Sequence, residues 1–352
     1  MSIASIAVSA APGGRRDVAV WLFACCAMVF SMVLIGGITR LTESGLSMVE
    51  WRPLFGALPP FGAAEWDRIF ALYRQTPQYQ ELGAGMTLAE FKTIYWWEYV
   101  HRLSGRLTGV VFLAPFVWFL ARRRIDRRLA LGLTALFALG GLQGLLGWYM
   151  VQSGLIDQPR VSPYRLTAHL ALALGIYAAL LRLALGAARP RAEAVHDGRL
   201  SGVRRLAWIA LAVVTATILS GGFMAGTRAG WTYNTFPLMD GALVPAGYFA
   251  LTPWYANPFE NIAAVQFDHR FLAIASLALA LALWWRSRWL VLGRHGRWAA
   301  LGIAAWVPVQ VALGVATLLL VVPVPLAALH QGGAVLLFSL LIWLLYELRP
   351  AR

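Results

Sequence analysis

The 352-residue chain has little charge and almost no thiol. Charged residues make up 13% of it, against about a quarter in soluble domains, which excludes an ordinary water-soluble enzyme. Its two cysteines, Cys25 and Cys26, are neighbours inside an apolar run. That arrangement excludes a disulfide framework and any spaced thiolate metal site. Lysine occurs once, at Lys92. The net charge of +14 is therefore almost wholly arginine, and no basic run is interleaved with a soluble fold, so nucleic-acid binding is not indicated. What is present is apolar: 59% hydrophobic residues, with 16 tryptophans. Disorder is ruled out, and the composition is that of a polytopic membrane protein.

Eight segments are apolar over the roughly 20 residues a helix needs to cross a bilayer. They lie near 18–38, 98–121, 129–151, 163–186, 203–226, 261–285, 298–320 and 325–347. The first follows Arg15 and Arg16 and could be read as a signal peptide, but its length and lack of a small-residue cleavage site favour a retained span. Backbone groups in lipid must be satisfied within the segment, so the fold class is all-α. The arginines cluster at 122–128, 182–205 and 286–297 and at both tails, so the whole +14 excess falls on one face. By the positive-inside rule both termini lie inside, and the long connections 39–97 and 227–260 lie outside.

The chain repeats itself. Gly36-Gly37-Ile38-Thr39-Arg40 ends the first span, and Gly221-Gly222 followed by Thr227-Arg228 ends the fifth. Glu98-Tyr99-Val100-His101-Arg102 opens the second, and Gln266-Phe267-Asp268-His269-Arg270 the sixth. Gln143 and Gly147 in the third match Gln310 and Gly314 in the seventh; His169 opens the fourth and His330 the eighth. Four helices per unit is an even number, so both copies cross in the same sense. This predicts two parallel four-helix bundles, residues 1–195 and 196–352, related by a pseudo-two-fold axis along the membrane normal.

Of six histidines, His196 and His295 fall in inner connections, where solvation accounts for them. The other four sit one on each even-numbered helix, all near the outer boundary. A lone intramembrane histidine is an ordinary hydrogen-bonded packing residue, but four at matched depth, two per repeat, point to a shared task. Neutral imidazole ligates metals, and zinc or copper would need more His, Cys or carboxylate per unit. Two histidines on facing helices without thiolate suit the two axial positions of a heme iron. The expected pairs are His101 with His169 and His269 with His330. Arg40, Arg102, Arg228 and Arg270 stand near the outer span ends, where they could hold heme propionates or else snorkel to lipid phosphates.

The halves differ in one chemical respect. Glu98 precedes His101 by three residues and shares its helix face, whereas Gln266 at the matching place cannot ionise. A carboxylate there could take protons or stabilise developing positive charge; alternatively it simply complements the helix start. The asymmetry suggests a first site that reacts and a second that carries electrons.

These residues resemble the heme A synthase family, in the version found in alphaproteobacteria and mitochondria. The resemblance spans nearly the whole chain. It rests on Gly37-Ile38-Thr39-Arg40-Leu41-Thr42-Glu43-Ser44-Gly45-Leu46-Ser47-Met48 with Trp51, on Tyr95-Trp96-Trp97-Glu98-Tyr99-Val100-His101-Arg102, and on Asn234-Thr235-Phe236-Pro237-Leu238-Met239. It implies a multi-pass enzyme of the bacterial inner membrane that oxidises the C8 methyl of heme O to formyl, giving heme A for cytochrome oxidase. Two hydroxylations would give a gem-diol that loses water. It implies heme b as cofactor on His269 and His330, substrate heme at His101 and His169, and Glu98 as the catalytic carboxylate. Heme O synthase, the farnesyltransferase that makes the substrate, is the implied partner, together with an unidentified electron donor. Some members carry cysteine pairs in the outer loops; here there are none, so no loop dithiol can take part. The runner-up is a di-heme b-type electron carrier working with quinol, and a third reading is a heme transporter.

Overall fold

The computed structural model describes residues 12–51, 55–156, 159–189 and 198–349. His196 lies outside them. Eight helices are long and apolar enough to cross a membrane: α1 (Pro12–Leu41), α2 (Leu88–Ala121), α3 (Arg127–Ile156), α4 (Pro163–Ala188), α5 (Leu200–Thr227), α6 (Ile262–Ser287), α7 (Arg294–Leu319) and α8 (Val324–Glu347). Each expected span matches one of them, 261–285 and 298–320 overrunning their helices by a single residue at one end. The largest difference is α2, which starts at Leu88 rather than near 98. A capping box sets that start: the Glu90 backbone N–H donates to Thr87 Oγ1, and the Thr87 N–H donates to the Glu90 carboxylate, satisfying donors a bare helix end leaves open. Proline in the first turn starts α4 and α8, where its missing N–H costs nothing. His295 stands exposed in the first turn of α7 rather than in a connection.

The helices pair in a regular way. In the first half α1 packs on α2, α2 on α3, α3 on α4 and α4 on α1, a closed ring of four. In the second half α5, α6, α7 and α8 close a ring in the same order. The halves meet along α1–α8, α4–α5 and α4–α8. Cys25 and Cys26 are buried free thiols of the apolar core of α1.

Glycine determines how closely the halves approach, since lipid supplies no hydrophobic drive between helices. A Cβ at Gly37 of α1 would overlap the side-chain amide of Gln331 on α8. That amide donates to the Val33 carbonyl at 2.8 Å. Across the α4–α5 contact, a Cβ at Gly222 would stand 2.8 Å from Thr167 Oγ1. At the end of the bundle away from the histidines Arg189 pairs with Glu347, and the Tyr346 hydroxyl donates to the Arg189 carbonyl.

Outside the bundle, residues 42–51 and 55–87 fold over α2. Helices Gly62–Tyr73 and Pro77–Leu82 pack Trp66 and Tyr73 against Phe91, Tyr95 and Tyr99. Burial pushes the Tyr73 phenol up to about 12. Arg68 is gripped by Glu65 and Glu50, which hold its guanidinium above its ordinary range.

If the seam is set by glycine, Gly222→Leu should lower stability by about 1–3 kcal/mol through overpacking. Gly175→Ala, where a Cβ meets no atom within 4 Å, should be neutral or stabilising. Thermal unfolding of the two variants in detergent checks this; equal Tm values would refute it.

Candidate functional site

The second half shows how an imidazole is seated in such a bundle. His269 on α6 and His330 on α8 face each other with ring centroids 6.4 Å apart at 81°. Each ring lies against a neighbouring helix that has no side chain at that point. A Cβ at Gly221 would come within 3.4 Å of His269, and one at Gly314 within 2.7 Å of His330. The protein holds the Nδ1 edge of each ring. Gln310 Nε2 stands 3.0 Å from His330 Nδ1 and donates to the His330 carbonyl at 2.8 Å. Ser220 Oγ stands 2.8 Å from His269 Nδ1 and donates its proton to the Thr217 carbonyl. Since that hydroxyl has one proton to give, it accepts from Nδ1–H. The lone pair of His269 is then on Nε2, as a metal ligand requires.

The first half uses the same device with different partners. Gly36 faces His101 at 3.4 Å and Gly147 faces His169 at 3.1 Å. Gln143 donates to the His169 carbonyl at 3.0 Å, as Gln310 does to that of His330. The Nδ1 partner of His101 is the difference. Ile35 occupies the register of Ser220, counted from the paired glycines, and cannot accept. Glu98 Oε2 instead lies 3.7 Å from His101 Nδ1, an ion-pair separation longer than a hydrogen bond.

Glu98 is 3% exposed, and its other oxygen takes a 2.6 Å hydrogen bond from Arg102 Nε. The Arg102 guanidinium also donates to the Met48 carbonyl, at 3.1 Å, and lies under the Trp51 ring. It lines a 420 Å³ outer cavity with Glu50, Glu65 and Arg106. In the second half Arg270 donates to Gln266 Oε1 at 2.9 Å and to the Tyr233 carbonyl at 2.7 Å. Gln266, fully buried, donates in turn to the carbonyls of Ala229 and Thr232. Both halves therefore clamp an outer loop with the arginine that follows a histidine. In one the clamp is an ion pair, in the other a neutral amide.

The four arginines expected near the span ends are not equivalent. Arg102 is committed to Glu98 and the loop. Arg40 donates to the Gly226 carbonyl, and Arg228 pairs with Glu43 at 2.9 Å, so both tie the halves together. Arg40 Nε and Arg270 Nε are buried without a partner among the described residues. Those two orphaned donors, the orphaned His169 Nδ1 and the glycine-backed rings, facing each other in the second half, fit a flat metalloporphyrin carrying carboxylates. Among the described residues, no three His, Cys, Asp or Glu side chains gather as a metal cluster, which agrees with two protein ligands per metal.

Ser220 is the functional residue that sequence reading missed. It immediately precedes Gly221-Gly222, yet it has no counterpart in the first half to draw attention to it. With its acceptor gone, Ser220→Ala should leave His269 ligating but weaken resident metal–porphyrin affinity by roughly tenfold to a hundredfold, the range for partners that orient a ligand. Heme retention during dilution in detergent measures this; unchanged retention would show the hydroxyl is not used.

Comparison with known proteins gives the family. The family model described as COX15-CtaA, cytochrome oxidase assembly protein, matches residues 19–342. Heme A synthase of Rhodospirillum centenum is 53% identical over 353 residues, covering 98% of this chain and 94% of the relative. Heme A synthase of Nitrosospira multiformis is 51% identical over 335 residues, 95% and 94% of the two chains. That of Paramagnetospirillum magneticum is 48% identical over 341 residues, 96% and 95%. Matches of this extent cover both rings of helices and the outer segments between them, and the chain belongs to the COX15-CtaA family of cytochrome oxidase assembly proteins.

Proposed function

We propose that this chain is a heme A synthase, a membrane oxidoreductase that converts heme O to heme A. The substrate methyl group at C8 is hydroxylated twice, and the gem-diol loses water to leave the formyl group. Residues 1–195 form the reacting half and residues 196–352 the electron-carrying half, related by a two-fold axis along the membrane normal. Heme b is the resident cofactor, held by His269 and His330, and it supplies one-electron chemistry when bound. Substrate heme O is held by His101 and His169, with Arg40 as the best-placed carboxylate donor of the first half and Arg270 that of the second.

One observation carries this reading: the buried carboxylate of Glu98 against the ring of His101, where the other half has a sealed amide. A pure electron carrier needs no such difference between two otherwise matched sites. Each hydroxylation replaces a C–H bond of the substrate methyl with C–O, a two-electron oxidation of that carbon, so proton transfer beside the porphyrin is part of both steps. Glu98, poised between His101 Nδ1 and Arg102 Nε, is the group that takes those protons or balances the positive charge. Arg102 keeps the carboxylate in place by holding Oε1 while anchoring itself to the loop.

The arginine distribution supports a multi-pass placement in the bacterial inner membrane with both termini in the cytoplasm. The histidines then lie toward the periplasmic side. Heme O reaches the chain from the farnesyltransferase that makes it; with dioxygen as oxidant, an electron donor supplies the two electrons that, with two protons, reduce the second oxygen atom to water in each hydroxylation.

Two measurements test this. Pigments extracted after co-expression with a heme O source should contain the formyl product; heme-loaded protein that yields only heme O would leave the electron-carrier reading in its place. Glu98→Gln installs the arrangement the second half already tolerates. It should keep both hemes in the spectrum while cutting product formation by about 10²–10⁴-fold, the usual reach of a general acid–base group. Normal turnover in that variant would remove Glu98 from the mechanism.

A further inference from the structure

Resting on the heme A synthase reading, we infer that the substrate's isoprenoid chain lies in a glycine-lined slot between α2 and α3. Filled registers in the second half exclude the same chain there. Gly105 and Gly109 follow His101 by one and two helical turns, so they share its face of α2. Gly144 and Gly140 precede Gly147 by one and two turns and share the face of α3 that touches His169. The two helices run antiparallel and pack on each other, so both glycine pairs lie deeper in the membrane than the histidines. At 1.5 Å per residue they line the first roughly 12 Å below the ring of His101.

Glycine in a membrane helix ordinarily marks a close helix contact, and that explanation fails here. Among the described residues, a Cβ added at Gly109, Gly140 or Gly144 meets no atom within 4 Å, and one at Gly105 meets only the end of Met32, at 3.7 Å. These glycines leave room that no neighbouring helix uses. One turn further in, Phe112 of α2 stacks on Phe137 of α3, centroids 5.9 Å apart at 19°, and closes the slot.

The second half differs at every one of these registers. Counting from His269, Ala273 and Leu277 stand where α2 has Gly105 and Gly109. Counting from Gly314, Val307 and Val311 stand where α3 has Gly140 and Gly144. Val307 is buried, 1% exposed, and Leu277 packs on the core. Phe112 and Phe137 have become Ala280 and Ala304, the bulk having moved up toward the histidines. Two sites with the same ligand pairs thus differ in the volume beneath them. Heme O carries a long branched hydrocarbon that heme b lacks, and an apolar slot opening from the first site alone sorts the two by that group.

The test uses the full-length protein in detergent with its resident heme bound. Heme O and tail-free protoheme are titrated separately into wild type, Gly140→Val and Gly144→Val, following imidazole ligation at the first site by visible absorption. Each valine should cost heme O affinity on the order of tenfold to a hundredfold, the worth of methyl groups in an apolar pocket. Protoheme should bind as in wild type. Equal losses for both porphyrins, or no loss for heme O, would overturn the slot. Should the valine variants fail to hold the resident heme, Gly140→Ala and Gly144→Ala replace them, since alanine favours the helix; a smaller loss confined to heme O is then expected, and none overturns the proposal. The two readings fail separately. Wild-type protein that prefers heme O but makes no formyl product sinks the synthase and keeps the slot. Undiminished heme A from Gly144→Val does the reverse.

Discussion

Each imidazole ring inside this bundle stands where the facing helix has no side chain. All four membrane histidines meet that condition, against Gly36, Gly147, Gly221 and Gly314. The paired glycines of α1 and α5 do two jobs one residue apart. The first of each pair faces a histidine of its own half, and the second faces the opposite half, at Gln331 or Thr167. The fit of the rings and the fit of the halves are therefore set by the same turn of helix. A shift of α1 or α5 that eased one would disturb the other, and close-packed interiors do not absorb such shifts gradually.

Much of this was legible in the sequence because lipid leaves few options. Uninterrupted apolar runs have to be helices, the arginines bias their direction, and the offset between His101 and His269 brings Glu98 onto Gln266. The register of the arginines was less legible. Gly-Gly and Thr-Arg look like one repeated motif, but Arg40 follows Gly36 by four residues and Arg228 follows Gly221 by seven. The histidine contacts fix the glycines as the equivalent positions, so Arg228 stands nearly one turn further out, where it reaches Glu43. Spacing within a motif could not show which of its two ends was the anchor. Ser220 was hidden for a different reason: a hydroxyl on a membrane helix commonly satisfies itself on a preceding carbonyl, as this one does at Thr217, and only the folded neighbour reveals its second bond. The start of α2 was missed because Thr87 and Glu90 act through backbone donors that hydropathy does not register.

The loop motifs make sense as clamps. The stretch from Thr42 to Met48 returns to the bundle through the Glu43–Arg228 pair, through Ser47 on the Ile94 carbonyl, and through Met48 on Arg102. Asn234 does comparable work in the second half, donating to Gly230 and Leu318 carbonyls. In each half the loop is tied to the arginine directly after a histidine. The outer segments are thereby coupled to the ring orientation rather than merely covering it.

The clamp itself shows why the halves diverged. A buried ion pair is a poor source of stability, because desolvating two charges offsets most of their attraction. Gln266 shows that a neutral amide holds the equivalent arginine, through Nη2 rather than Nε, and it adds two loop carbonyls besides. If clamping were all that mattered, Glu98 would be the inferior residue at its position. It also removes from Arg102 the donor that Arg270 keeps free at Nε, so the first half gives up a carboxylate contact as well. What Glu98 alone provides is an ionisable oxygen facing the unsupported Nδ1 of His101, on the one histidine whose neighbouring helix offers Ile35 instead of a serine. Serine in one half and carboxylate in the other face the same ring edge in two ways: a neutral hydroxyl 2.8 Å from His269 Nδ1, and an acid 3.7 Å from His101 Nδ1. The glycines that widen the space beneath this same ring belong to the same divergence.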